Sequence, residues 1–134
     1  MTIDKIIVHC SATPEGRDID AAKIDDWHKG RGWKMIGYHF VVKLDGTIEL
    51  GRPLDMQGAH TKGHNKNSLG ICYIGGCDRH MDAKDTRTDE QKDSLLLLLK
   101  TLRKIYPDAK IHGHRDFAPK SCPSFDATEE YSCI

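Results

Sequence analysis

Histidine and cysteine are the residues in this chain whose side chains could hold a metal ion or move a proton. The 134 residues include eight histidines and five cysteines. His9 follows a short apolar run, and Cys122 comes eight residues after the pair His112 and His114. Two imidazoles and one thiolate would give zinc three protein ligands and leave a fourth position open, as in catalytic sites. The spacing is also compatible with histidines that form hydrogen bonds in the core and a buried cysteine that binds no metal. No CxxC or HExxH motif supports a metal site.

Lys120 and Tyr38 are two further side chains that could take part in catalysis. In an extended segment Lys120 and Cys122 would point the same way, so an ammonium would lie beside the metal. There it could stabilise the oxyanion of a tetrahedral intermediate. Tyr38 begins a predicted strand, and its phenol could orient water or donate a proton to a leaving amine. Taken singly, a surface lysine and a packed strand tyrosine are the ordinary interpretations.

The elements that must position these residues begin with a set of short strands. Apolar, β-branched runs predict them at Ile3–Val8, Phe40–Leu44, Thr47–Leu50, Leu69–Ile74 and Lys110–Gly113. Asp45-Gly46 supplies the turn of a hairpin between the second and third. Sites collect at strand ends, because the sheet fixes a residue's position while the loops admit substrate.

Two helices accompany the strands. Asp18 is predicted to cap a helix that ends at Gly30, and Thr88 with Gln91 fits a capping box that starts a helix from about Asp89 to Tyr106. Ala118-Pro119 and Cys122-Pro123 predict an extended segment after the last strand. This order predicts one α/β domain over residues 1–134, with a central mixed β-sheet of about five strands flanked by two or three helices.

The composition excludes several classes of protein. Twenty basic and twenty acidic residues leave no net charge, which argues against a dedicated nucleic-acid or anionic-membrane binder. The longest apolar run, Leu95–Leu99, is far shorter than the ~20 residues that cross a bilayer. Five cysteines form no even framework, and small buried hydrophobes are the simplest interpretation, with one optional bridge between Cys72 and Cys77.

Six motifs spread along the chain resemble those of one known family. They are His9-Cys10-Ser11-Ala12-Thr13, Trp27-His28, Gly37-Tyr38-His39-Phe40, Asp45-Gly46-Thr47, Asn67-Ser68-Leu69-Gly70 and the closing segment Ala118–Asp126. In this order the chain resembles the zinc N-acetylmuramoyl-L-alanine amidases, which include phage lysozymes and the peptidoglycan recognition proteins. The closing segment is the most specific part, and the phage enzymes are the most similar. The resemblance implies the α/β fold of the peptidoglycan recognition proteins.

The resemblance also implies which residues carry the chemistry. It implies His9, His114 and Cys122 as ligands of one Zn²⁺ ion per chain, with Tyr38 and Lys120 as catalytic partners. The implied reaction is hydrolysis of the amide between N-acetylmuramic acid and the L-alanine of the stem peptide, which degrades the cell wall. Because non-catalytic members commonly lack the ligand cysteine, the presence of Cys122 favours an enzyme.

The loop Gly51–Asn67 is predicted to form one wall of a groove for glycan and peptide, with His60 and Asn67 as substrate contacts. We expect peptidoglycan as the partner of a monomer, with no nucleic acid and no membrane insertion. Ile6-Ile7-Val8 is too short for a signal peptide. We therefore expect synthesis in the cytoplasm and action on the wall after release by lysis, a pore or a secretion machine.

Three other interpretations compete with the amidase. A binding module would recognise peptidoglycan without cutting it, and a regulator would restrain another protein such as a polymerase. The short segment before the first strand predicts that the polymerase-restraining arm of a phage lysozyme is missing. A structural zinc domain would need a fourth protein ligand, for which His112 is the nearby candidate, although the resemblance assigns the ligand role to His114.

Overall fold

The computed structural model describes residues 2–134, which form two β-sheets, three α-helices and a short 3-10 helix. The strands are β1 (Lys5–Cys10), β2 (Thr13–Pro14), β3 (Phe40–Val42), β4 (Ile48–Leu50), β5 (Ser68–Tyr73), β6 (Gly76–Cys77) and β7 (Lys110–Gly113). The α-helices are α1 (Ala21–Gly30), α2 (Asp89–Ile105) and α3 (Ala127–Glu130), and the 3-10 helix is His114–Asp116.

The main sheet is mixed, as the sequence predicts, with strand order β4-β3-β5-β1-β7. The β3–β4 hairpin is antiparallel, whereas β3, β5, β1 and β7 run parallel to their neighbours. β1 therefore lies between two parallel strands, and all its residues after Lys5 are buried. This confirms the prediction of a first strand from an apolar, β-branched run, although its bounds lie two residues later than Ile3–Val8.

Helices cover both faces of this sheet. On one face, alternate residues of β1 and β5 pack against α2 in an apolar cluster that includes Ile6, Val8, Leu69, Ile71, Leu95 and Leu99. On the other face, Val41, Cys72 and Ile74 pack against Ile24 of α1. Because side chains alternate along a strand, His9 lies on the α1 face, between Val8 and Cys10, which face α2.

The two long helices begin and end close to their predicted bounds. Thr88 and Gln91 form the expected capping box: the Thr88 hydroxyl accepts from the Gln91 N–H, and the Gln91 side chain accepts from the Thr88 N–H. The cap of α1 is Asp20 rather than Asp18, and its carboxylate accepts from the Lys23 N–H at 2.9 Å. The prediction of Asp18 was wrong because an N-cap side chain must reach the N–H groups of the first turn, which starts at Ala21.

Two very short strands extend the β1–β5 pairing past a break. Ala12 adopts a left-handed φ of 55°, after which β2 pairs in parallel with β6. These two strands are absent from the predicted elements, since two-residue strands carry no readable period. All five cysteines are free thiols, so Cys72 and Cys77 form no bridge. Over residues 2–134, no helix combines the length and apolarity that a membrane-spanning segment requires.

Candidate functional site

Two histidines meet because β1 and β7 are parallel neighbours. Val8 lies opposite Gly113 in this pairing, so the next residues, His9 and His114, lie side by side where the strands end. Their ring centroids are 4.6 Å apart. His9 is buried, whereas His114 is half-buried and starts the 3-10 helix. Strand pairing thus positions both imidazoles.

Cys122 reaches the same point from the segment that follows the 3-10 helix. The Cys10 N–H donates to Cys122 Sγ at 3.2 Å, and Sγ lies 3.9 Å from Nδ1 of His9. One nitrogen of each imidazole and the sulfur all lie within 4.8 Å of one another. Residues 113 positions apart in the chain are therefore brought to one point.

The three donor atoms suit a zinc ion. At Zn–N and Zn–S bond lengths, tetrahedral ligand atoms lie about 3.3–3.6 Å apart, so side-chain shifts of about 1 Å would bring this group onto one ion. Two imidazoles and one thiolate make a three-ligand set, the number that catalytic zinc sites use. The described residues therefore contain a possible metal site in which one coordination position is left to solvent or substrate.

The electrostatics of the group also favour a cation. Burial, with the charges of His60, His114 and Lys120, holds the pKa of His9 well below its ordinary value. Burial and then Lys120 lower the pKa of His114. Both imidazoles are therefore neutral at neutral pH, which is the form that ligates metal. Contact with Cys10 and burial raise the pKa of the Cys122 thiol, so a bound cation is what would stabilise its thiolate.

Tyr38 lies against the His9 imidazole. The two ring centroids are 5.0 Å apart, and His28 packs against the tyrosine at 5.6 Å. Burial raises the pKa of Tyr38 well above its ordinary value, so its hydroxyl stays protonated and able to donate. Tyr38 lies two residues before β3, not at the start of the strand as predicted, because β3 pairs with β4 only from Phe40 onwards.

Lys120 is exposed and lines the same cleft as His114, and its charge lowers the pKa values of His9 and His114. The segment that carries it is not extended, so the alternation argument for Lys120 and Cys122 was wrong. Turns form instead: the Lys120 N–H donates to the Ala118 carbonyl at 2.8 Å, and the Ser124 N–H donates to the Ser121 carbonyl. Two prolines and local hydrogen bonds thus fold this segment back onto β1.

The structure separates the two predicted substrate contacts. His60 lies against the site, with its Nδ1 2.9 Å from Nε2 of His9. Asn67 lies at the opposite end of β5, where its carbonyl accepts from the N–H groups of Asp4 and Lys5. Asn67 has a left-handed φ of 60°, which turns the loop into the strand far from His9 and outside the cleft that holds His60.

His112 does not join the group of three donors. It pairs with Ile7 in the β1–β7 register, two residues before the level of His9 and His114. Its Nδ1 lies 3.7 Å from the Asp116 carboxylate, and its ring packs edge-on against Phe117. No fourth protein ligand is found among the described residues, which argues against a structural zinc site.

A cleft of about 710 Å³ opens beside the three donors. Its lining comes from the residues that follow α1, from the loop between β4 and β5 and from the segment after β7. Its lining includes Arg31, Trp33, His60, Lys62, Asn65, His114, Phe117 and Lys120. The cleft thus combines aromatic surfaces with three cations and no acidic residue, which suits an anionic substrate.

Several contacts within the site could not be predicted from the sequence. The Asn65 carboxamide oxygen accepts from the N–H groups of His60 and Thr61, each at 2.8 Å, and so shapes the cleft wall. Ser68 and Thr61 are buried against His60. Such contacts depend on how a loop without periodicity folds, and only its polar, histidine-rich composition marked it as functional.

Comparison with known proteins shows the family of this chain. Residues 1–125 match the family described as N-acetylmuramoyl-L-alanine amidase. The chain is 46% identical over 123 residues to an endolysin of Escherichia phage T7. The aligned residues make up 92% of this chain and 82% of the relative. It is 45% identical over 122 residues to an endolysin of Enterobacteria phage K11, covering 91% and 81%.

Solved structures show the same fold. The N-acetylmuramoyl-L-alanine amidase LysC from Clostridium intestinale URNW superposes with a TM-score of 0.82 at 32% identity, over 96% of this chain and 81% of that one. Drosophila PGRP-LB superposes with a TM-score of 0.81 at 27% identity, over 98% and 81%. The expected peptidoglycan-recognition-type α/β fold is confirmed. This chain belongs to the N-acetylmuramoyl-L-alanine amidase family and is a lytic enzyme that acts on peptidoglycan.

Proposed function

We propose that this amidase depends on one zinc ion, held by His9, His114 and Cys122, and that Tyr38 and Lys120 act on the substrate. The observation that carries the proposal is the convergence of three metal-binding atoms within 4.8 Å at the end of the cleft. Their separation in sequence makes a chance meeting a poor explanation, because three different elements must cooperate to produce it.

The reaction is hydrolysis of the amide that joins the lactyl group of N-acetylmuramic acid to L-alanine. When bound, zinc lowers the pKa of a coordinated water and polarises the carbonyl group. Lys120 stabilises the negative charge that develops on the carbonyl oxygen. The protonated Tyr38 hydroxyl orients the attacking water or donates to the departing amine. The imidazoles of His9 and His114 stay neutral, since burial depresses their pKa values.

The stem peptide occupies the cleft beside the donors in this proposal. Arg31, Lys62 and Lys120 give that cleft positive charge, which complements the free carboxylates of a stem peptide. Trp33 offers an aromatic surface, over which the Arg31 guanidinium lies at 5.6 Å. His60 belongs to the same wall, whereas Asn67 does not line the cleft, so we propose no substrate contact for Asn67.

We further propose that the enzyme acts as a monomer and reaches the wall after release by lysis, a pore or a secretion machine. Every group of the proposed site comes from one chain, so a second copy adds nothing to the chemistry. The relatives from phages T7 and K11 are endolysins, which supports release at lysis.

The test measures zinc content and cleavage of defined muropeptides together. The purified protein should hold one zinc ion and release stem peptide, and a chelator should abolish the release until zinc is restored. Cys122→Ser should lose both zinc and cleavage. Cys133→Ser is the matched control, because Cys133 is an exposed cysteine near the C-terminus and should leave both unchanged. Full cleavage by the metal-free protein would show that the proposal is wrong.

A further inference from the structure

We propose that His60 is a positioning residue, which fixes the tautomer and orientation of the His9 imidazole through a directed chain of hydrogen bonds. The inference rests on the proposed zinc site and adds a role that neither the fold nor the relatives assign. His60 Nδ1 lies 2.9 Å from His9 Nε2, on the side of the His9 ring away from Cys122.

The direction of this chain of hydrogen bonds follows from its last bond, between Ser68 and His64. Ser68 Oγ lies 2.7 Å from the His64 carbonyl oxygen, which can only accept, so the Ser68 hydroxyl donates to it. Ser68 Oγ is then free to accept from His60 Nε2, which lies 3.3 Å away. With its proton on Nε2, the neutral His60 ring carries a lone pair on Nδ1.

This lone pair determines the state of His9. Nδ1 of His60 accepts the proton on Nε2 of His9, so the lone pair of His9 lies on Nδ1, which faces Cys122 at 3.9 Å. The chain of hydrogen bonds therefore leaves Nδ1 of His9 free to bind an ion that the Cys122 sulfur also holds. Histidine ligands of metals generally donate their second N–H to such a partner, and removal of the partner weakens metal binding.

The ring of His60 sits in a slot that the surrounding backbone leaves for it. A Cβ atom on Gly70 would come within 2.6 Å of the ring, and one on Gly58 within 2.5 Å. Thr61 closes the slot, with its hydroxyl 2.9 Å from His60 Nδ1 and 3.3 Å from His9 Nε2. Both ring nitrogens of His60 are engaged inside the protein, so its role is directed at His9 rather than at the substrate.

The experiment measures zinc affinity without substrate, by competition with a chromophoric chelator. We expect His60→Ala to raise the zinc dissociation constant about 10- to 100-fold. His60→Asn places an oxygen near the position of Nδ1 and should keep affinity within about threefold of the native protein. Ser68→Ala, which removes the far anchor, should fall between them. His80→Ala is the control, since His80 is an exposed histidine of the loop before α2.

Spectra of the cobalt-substituted proteins give a second measurement. His60→Ala should alter the visible ligand-field bands, whereas His60→Asn should restore them. Thermal unfolding of the metal-free forms shows whether each variant folds. If His60→Ala does not fold, the zinc affinities of His60→Asn and Ser68→Ala test the role of His60. If His60→Ala kept the native zinc affinity, or if His60→Ala and His60→Asn lost affinity equally, the positioning role of His60 would be wrong. The proposed zinc site would not be affected by that result. A native protein that binds no zinc would overturn both.

Discussion

Lys120 differs from the three donor residues in being exposed at the rim of the cleft. Its charge nevertheless reaches both His9 and His114, whose pKa values it depresses. A flexible ammonium with no place in the donor group can approach the substrate without competing for the ion. Tyr38 has the complementary property, because burial keeps its hydroxyl protonated beside His9.

We expect Lys120→Ala and Tyr38→Phe to separate metal binding from turnover. Both variants should retain zinc, because neither residue is a donor in the group within 4.8 Å. Lys120→Ala should lower kcat about 100- to 1,000-fold, the usual effect of removing a group that stabilises an oxyanion. Zinc content and kcat on a defined muropeptide check this, with Lys84→Ala as an exposed lysine control. Loss of zinc together with turnover would contradict the separate role.

The residues with chemistry could be read from the sequence, but their contacts could not. His9, His114, Cys122, Tyr38 and Lys120 belong to motifs, and the structure brings all five to one end of the sheet. The bond from His60 to His9 was not predictable, since it depends on the path of a loop between two strands. Asn67 shares a motif with Ser68, yet its left-handed turn places it at the wrong end of β5.

At the scale of elements, Arg87 ties the C-terminal helix to the start of α2. Its side chain is only 2% exposed, and it bonds to Asp85, to Glu130 of α3 and to the Tyr131 hydroxyl. Its guanidinium also lies 3.5 Å from the centre of the Phe125 ring. Because Phe125 follows Cys122 by three residues, this cluster supports the segment that carries the proposed sulfur ligand.

We expect Arg87→Leu to destabilise the protein by about 1.5–3 kcal/mol, because it removes the charge-assisted hydrogen bonds from Arg87 to two partly exposed carboxylates. Urea unfolding, followed by circular dichroism, measures the free energy of unfolding. Lys84→Ala is the matched control: its 2.8 Å ion pair with Glu15 is exposed and should be worth at most about 1 kcal/mol. Equal losses in the two variants would show that burial of Arg87 does not strengthen its ion pairs.

The same cluster predicts how stability depends on pH in acid. Burial opposes charge on Asp85, but the hydrogen bonds and charge of Arg87 outweigh it and lower its pKa. Hydrogen bonds from Arg87 likewise lower the pKa of Glu130. A pKa that is lower in the folded chain adds stability above the unfolded value, about pH 4, and this is lost as the pH falls through the folded value.

The measurement compares melting temperatures of the native protein and Asp85→Asn between pH 7 and pH 3. The gap in melting temperature should be widest near neutral pH and should narrow below about pH 4, where the Asp85 carboxyl of the unfolded chain takes up a proton, until the pH reaches the lower folded pKa. A Glu15→Gln variant, which alters only an exposed pair, should show a small gap throughout. A gap for Asp85→Asn that stays constant down to pH 3 would contradict the mechanism.

Elements with strong patterns were predictable, and those without were not. The five strands of the main sheet and both long helices follow from β-branched runs, a capping box and a helical stripe of leucines. β2, β6 and α3 are two to four residues long, too short to show a period. The turns between Ala118 and Phe125 replaced an extended segment because hydrogen bonds within the segment, not proline alone, set its path.

For the molecule as a whole, the proposed ion should add stability without creating the fold. The two apolar clusters on either side of the sheet are built from helices and strands that do not depend on a metal. We therefore expect the metal-free protein to keep its far-UV circular dichroism while its melting temperature falls. Zinc at a hundredfold excess over its dissociation constant contributes about 2.7 kcal/mol, or roughly 10 °C for a chain of this size.

Calorimetry with and without zinc tests this expectation. Cys122→Ser should show no response to zinc, whereas Cys133→Ser should respond like the native protein. Unfolding of the whole chain on removal of zinc would instead mean that the ion is part of the folding core, as in small zinc domains.

The pairing of His9 with Cys122 also bears on how the enzyme is made. When β1, the β3–β4 hairpin, β5 and α2 have been synthesised, most of the main sheet is present. The Cys122 sulfur, which lies beside His9 in the folded protein, has not yet been synthesised. If Cys122 is a zinc ligand, as proposed, chains that stop before Cys122 should bind no zinc and hydrolyse no substrate, and zinc content of a chain truncated after Ser121 checks this.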